Sequence, residues 1–216
     1  GHSMGGLQIK SLAVSPGRRF WDLWFTSNPS EIDLAGSEGA LLKRMALFEP
    51  DPRLSRIIFL AVPHRGSGWA EGFTGALAKR RVKEDPVVTE IREAMLRKYG
   101  SHLHPDFRER ISRPRTSIDN LDPDAPYLRA LSALPLPADL PFHSIIGDLA
   151  GNLEEPTTDG VVPYQSAHLE NATSELVVKS GHGLQRQPEV AAEVRRILLL
   201  HLAETKEAAP GTPLPD

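Results

Sequence analysis

Three short apolar runs limit what this chain can fold into. "RIIFLAV" (Arg56 to Val62), "FHSIIG" (Phe142 to Gly147) and "SELVVKS" (Ser174 to Ser180) are brief, rich in branched residues and bounded by loop-forming text. The first has the look of a strand buried on both faces, the second reads as another buried strand and the third as an apolar strand, the pattern of a parallel sheet covered by helices. Helical text lies around them. Met4 to Val14 is a stretch of good helix formers stopped by Ser15-Pro16-Gly17. Ser37 to Phe48 carries Leu41, Leu42, Met45 and Phe48 at helical spacing before Pro50 and Pro52. Gln187-Pro188-Glu189 opens a last helix with Val190, Val194, Ile197, Leu198 and Leu202 on one face. The alternation predicts an α/β fold, a parallel sheet flanked by helices.

Between the first two runs, residues 66 to about 120 are polar and helix-prone, with Val88, Ile91 and Met95 at helical intervals after Asp85-Pro86. The expectation is a helical insertion acting as a cap over a site, with Trp69, Phe73 and Leu77 as its apolar residues, although such faces are more often ordinary core. Asp122 to Pro141 is Pro-rich loop with one short helix, and residues 204–216 are expected to be a disordered tail, so that the domain spans residues 1–203. With 216 residues, 40% of them hydrophobic, the chain has the size and the core of one domain.

Charge and composition exclude several classes of function. A net charge of −3 with short, interrupted basic clusters gives no field for nucleic acid. No apolar stretch approaches the roughly 18–20 residues of a membrane span. The absence of cysteine removes a thiol nucleophile, a Cys-based zinc site and disulfides, and leaves the compartment open.

Open parallel sheets hold ligands just beyond the carboxyl ends of their strands, so reactive side chains are sought there. The chain opens "GHSMGG", a Gly-x-Ser-x-Gly pattern centred on Ser3. The letters also match a cloning scar. Read as chemistry, the pattern is a strand-to-helix turn that strains the serine backbone and exposes its hydroxyl. Glycines at positions 1 and 5 would prevent collisions with the neighbouring strand and helix, and the backbone N–H of Met4 would be an oxyanion donor. A serine needs a base, and His182 in "KSGHGLQ" directly follows the third run, where Gly181 and Gly183 leave the loop free to turn the ring inward. His2 is set aside as base because adjacent strand residues point to opposite sides, and is assigned to packing, pocket-shaping or a hydrogen bond. His64, just past the first run, either shapes the pocket or is structural. Candidates for the carboxylate that orients the base are Asp148, Glu154, Glu155 and Asp159, the last in a tight turn with Gly160.

Taken together, Gly-His-Ser-Met-Gly-Gly, "FLAVPHRGS" (Phe59 to Ser67), "TSIDNLDPD" (Thr116 to Asp124), "TTDGVVP" (Thr157 to Pro163) and "SGHG" (Ser180 to Gly183) resemble the α/β-hydrolase superfamily, in particular bacterial lipase- or esterase-like serine hydrolases. The resemblance runs from Gly1 to about Leu202, and the order Ser, Asp, His is that of the family. It implies Ser3 as nucleophile, Asp159 as acid, His182 as base and Met4 N–H in the oxyanion hole, in an enzyme that cleaves carboxylic esters through an acyl-enzyme without metal or cofactor. The implied substrate is a small-molecule ester or a lipid. The family sets several strands and a second oxyanion donor ahead of the serine turn. The chain is therefore expected to be the C-terminal part of such a domain, weak or inactive without an N-terminal half as partner. Amidases, thioesterases and acyltransferases share the triad, and a non-catalytic piece used in binding or assembly is the rival reading.

Overall fold

In the computed structural model, which describes residues 1–67, 86–113, 120–152 and 154–208, the three apolar runs are strands: β1 (Ile57–Leu60), β2 (Phe142–Asp148) and β3 (Ser174–Lys179). They pair in parallel in the order β1-β2-β3, with Ile57 opposite Phe142, and Ile145 opposite both Leu60 and Leu176. Side chains alternate across a strand, and the alternation sorts the apolar residues into two layers. Ile57, Phe59 and Phe142 join the larger core, whereas Ile58, Leu60, Ile145, Leu176 and Val178 meet Leu184, Val190 and Val194 on the other face. The fold is α/β, a parallel sheet flanked by helices.

On the larger core lie α1 (Met4–Ala13), α2 (Arg19–Trp24) and α3 (Gly36–Ala46). α1 starts at Met4 as predicted and ends one residue early, at Ala13, while α3 starts one residue before Ser37 and ends two before Phe48. In α3 the core residues are Leu42 and Ala46, one turn apart, while Met45 faces outward at 40% exposure. Sequence reading had no signal for α2, since six residues are too few for periodicity to show. Yet Phe20, Trp21 and Trp24 are all buried, Phe20 stacking on Tyr127 at 4.8 Å and Trp21 on Phe25 at 4.3 Å. From the stretch assigned to a cap, the described helices α4 (Pro86–Tyr99) and α5 (Pro105–Ile111) pack on this layer. Tyr99 meets Phe25 edge-on at 6.3 Å, and Phe107 stacks on Trp24 at 5.4 Å. Trp69, Phe73 and Leu77 lie outside the described residues. The expected short helix in the Pro-rich segment is α6 (Pro126–Ser132).

Across the second face runs α8 (Pro188–Ala208), which follows the four-residue α7 (Tyr164–Ala167). Val190 and Ile197 are buried and Val194 is half-buried between them; Leu198 and Leu202, placed on that face by periodicity, are 52% and 54% exposed. The helix also passes beyond residue 204, where a disordered tail had been expected. Glu204 pairs with Arg56 at the foot of β1, an anchor from a distant segment. Arg56 in turn donates to His143 Nε2 at 2.8 Å, so His143 carries its hydrogen on Nδ1 and bonds Ser174 Oγ at 2.7 Å. This polar line ties the amino ends of all three strands, at the end of the sheet opposite Ser3 and His182. No described helix is long and apolar enough to cross a membrane.

Candidate active site

Gly1 to Ser3 run parallel beside the end of β1. Leu60 N–H donates to Gly1 O at 2.9 Å, and Ser3 N–H donates to Leu60 O at 2.9 Å. The chain then turns into α1 at once, and Ser3 pays for the turn with φ 53° and ψ −133°, a backbone region that a residue with a Cβ enters only under constraint. The constraint is visible: Ser3 is held by Leu60 on its N–H side, while its carbonyl accepts from Gly6 N–H at 2.9 Å. Met4 is the first residue of α1, where an N–H has no carbonyl one turn back to bond.

The three polar groups picked from sequence come together at this end of the sheet. Ser3 Oγ lies 2.9 Å from His182 Nε2, and His182 Nδ1 lies 2.8 Å from Asp159 Oδ2. A carboxylate only accepts, so Nδ1 carries the hydrogen and Nε2 is left free to accept from the serine hydroxyl. Asp159 is buried, and its other oxygen, Oδ1, accepts from the N–H groups of Val161 at 2.8 Å and Val162 at 2.7 Å. Two fixed dipoles thus hold one oxygen while the second faces the imidazole. Gly147, at the end of β2, makes this convergence possible: a Cβ there would stand 2.8 Å from Ser180 O and 3.0 Å from Asp159 Cβ. Neither Gly181 nor Gly183 uses the left-handed backbone that only glycine favours, so the ring of His182 is aimed by its hydrogen bonds rather than by glycine freedom.

Asp148, the rival acid, has a different task. Its Oδ1 accepts from Thr157 N–H at 2.9 Å, Thr158 N–H at 3.3 Å and Thr157 Oγ1 at 3.2 Å, and its Oδ2 from Asn152 N–H at 2.8 Å. These bonds knot the loop that delivers Asp159 and hold the Asp148 carboxyl at about 2, below its ordinary 3.8, with the Thr157 N–H as the largest cause. A lowered carboxyl pKa stabilises the fold only while the group is ionised. The contribution is complete above about pH 4 and is lost as pH falls through about 2. Asp148→Asn is therefore expected to unfold at a lower temperature than the parent at neutral pH, with the two melting curves converging as pH drops across that window. Glu154 and Glu155 are exposed.

His64 stands apart from this line. It is buried edge-on against Phe59 at 4.7 Å, with no hydrogen-bond partner for either ring nitrogen among the described residues. Burial, aided by the charges of Lys10 and Arg65, pushes its pKa down to about 3, which keeps the ring neutral. Its neighbours in "PHRGS" do more for the site. Ser67 Oγ donates to Val161 O, Ser166 Oγ donates to Gly66 O, and Arg65 donates to the carbonyls of Gln165 and His168, both at 2.7 Å. The loop after β1 therefore clasps the Asp159 turn from outside. Part of "TSIDNLDPD" joins it, since Leu121 O accepts from Ser67 N–H at 2.9 Å. Nothing in the local sequence announces these roles, because each partner is about 50 to 100 residues away. His2, set aside as base, sits beside His182 all the same, with ring centroids 4.9 Å apart. Among the described residues no group of three or more His, Asp or Glu is arranged to hold a metal ion.

No family model matches the chain, and no curated protein matches it. Among solved structures it is similar to the mature form of the Bacillus licheniformis lipase BlEst2, at 17% identity and a TM-score of 0.38. The likeness covers 67% of this chain and 54% of that one, so the chain spans about half the length of that structure.

Proposed function

We propose that the chain carries the catalytic centre of a serine hydrolase acting on carboxylic esters. One observation carries the reading: the unbroken line from Ser3 Oγ through the His182 ring to Asp159, set on a serine with φ 53°. Ser3 Oγ attacks the acyl carbon as its proton passes to His182 Nε2, and Asp159 stabilises the imidazolium that forms. The carbonyl oxygen, now negative, meets the Met4 N–H at the start of α1. On collapse His182 returns the proton to the leaving alkoxide, and the acyl group stays on Ser3. Water then attacks with its proton going to His182, and Ser3 leaves with that proton as the acid departs. Lipid esters are a substrate class by the sequence resemblance, and amides and thioesters are accessible to the same three groups.

The test is made on the product of the whole gene in which this sequence lies. Exposure to a fluorophosphonate is expected to add one label at Ser3, located by peptide mass, and p-nitrophenyl esters of short acids are expected to be hydrolysed faster than matched anilides. Absence of both label and turnover in a folded product overturns the proposal.

A further inference from the structure

We propose that His2 is a positioning residue for the base, acting through the main-chain carbonyl of His182; the inference rests on the hydrolase reading above. His2 Nε2 lies 2.8 Å from His182 O. A carbonyl only accepts, so Nε2 carries the hydrogen and donates it. The two rings lie 4.9 Å apart at a tilt of 43°.

What makes the bond matter is the contrast between its two ends. His2 bridges to Leu60 in the sheet, and its neighbours on both sides exchange hydrogen bonds with that same residue. His182 stands past the end of β3 between Gly181 and Gly183, the least restrained backbone types. Its ring must reach Ser3 with one nitrogen and Asp159 with the other at the same time. Fixing the carbonyl of His182 fixes the peptide plane beyond its Cα, and so limits the arc through which the Cα–Cβ bond can swing. The residue before the nucleophile thus couples the serine turn directly to the loop of its base. Backbone freedom at the two glycines is confined without any further side chain entering the site.

The experiment compares His2→Leu, which cannot donate, with His2→Gln, whose amide nitrogen reaches about as far as Nε2. Two quantities are read: steady-state hydrolysis of a p-nitrophenyl ester, and the downfield proton resonance of His182 Nδ1–H, which needs no substrate. His2→Leu is expected to lose about tenfold in kcat with KM unchanged, the cost of a loosened base, and its Nδ1–H signal is expected to broaden through faster exchange with water. His2→Gln is expected to recover part of both. A packing role alone would lower the melting temperature and leave the KM-against-kcat split and the Gln rescue absent. If His2→Leu does not fold, His2→Asn, whose amide is one methylene short of the carbonyl, takes its place. Wild-type kcat and wild-type signal in the non-donating variant overturn the inference, as does a folded His2→Gln that falls as far as His2→Leu. Lack of turnover by the parent protein would instead count against the hydrolase reading, and the resonance would still decide the role of His2.

Discussion

Ser3→Ala is expected to remove ester hydrolysis, lowering kcat by on the order of 10⁵-fold, while the protein keeps its melting temperature to within a few degrees. The size of the effect follows from the arrangement. Among the described residues His182 and Asp159 have no other nucleophile in line with them: the Nε2 lone pair points at Ser3 Oγ and Nδ1–H is committed to Asp159. Without the hydroxyl, only binding and the Met4 N–H remain to assist water, and no acyl-enzyme can form. Alanine meets the same backbone demand at φ 53° as serine does, and the bonds that hold the turn, Ser3 N–H to Leu60 O and Gly6 N–H to Ser3 O, are main-chain bonds that survive the change. Kinetics with a p-nitrophenyl ester and a thermal melt on the same sample check both halves. A variant that retains more than a few per cent of parental kcat would move the chemistry to another residue.

Gly6→Ala is expected to damage the fold, and Gly5→Ala is not. The pattern Gly-x-Ser-x-Gly directs attention to Gly1 and Gly5, and the reason offered for both was collision with neighbouring elements. For Gly1 that reason holds: a Cβ there would meet Ile9 Cδ1 at 2.6 Å and Gly6 Cα at 2.8 Å. At Gly5 it does not, since nothing among the described residues comes within 4 Å of the added atom. The tight contact lies one residue on. A Cβ at Gly6 would fall 2.1 Å from Val62 Cγ2 and 2.8 Å from Cγ1, where α1 crosses just beyond the end of β1. Val62 is branched and itself buried, so relief requires α1 to move away from the strand. Overpacking of this kind costs about 1–3 kcal/mol, which in a domain of this size lowers the melting temperature by roughly 3–10 °C. Because α1 begins at Met4, the same displacement shifts the Met4 N–H and the Ser3 hydroxyl, and kcat is expected to fall with stability. Gly5→Ala replaces a poor helix former in the first turn with the best one and is expected to stabilise by up to about 1 kcal/mol. Equal melting temperatures for the two variants would show that α1 does not approach Val62 as closely as described.

The amino-acid sequence by itself determined the α/β alternation, because strands of a helix-covered parallel sheet read as short apolar runs, as RIIFLAV, FHSIIG and SELVVKS do, although only β2 is buried along its whole length and β3 exposes Glu175 and Lys179. It also placed His182 directly past the third run, since that placement depends only on local chain order, while Ser3 and Asp159 were picked from the motifs that hold them, Gly-x-Ser-x-Gly and TTDGVVP. Short aromatic α2 escaped notice because fewer than two helical turns leave no period to detect, and the outward leucines of α8 were assigned inward because periodicity gives a face but not how wide a stripe the sheet covers. The resemblance of TTDGVVP points to Asp159 rather than Asp148, and only the tertiary structure supplies the physical difference between them. Asp148 closes β2 and Asp159 stands in the loop beyond it, both buried, and the difference is that Asp148 spends its oxygens on the N–H groups of its own loop while Asp159 keeps Oδ2 for His182. It alone moved the required glycine from position 5 to position 6, and it alone brought His2 to the carbonyl of His182, 180 residues away. Local pattern encodes which segments are strands and helices, because that follows from burial along one element; which atoms of two distant loops meet depends on how those elements pack, and no periodicity in the chain carries it.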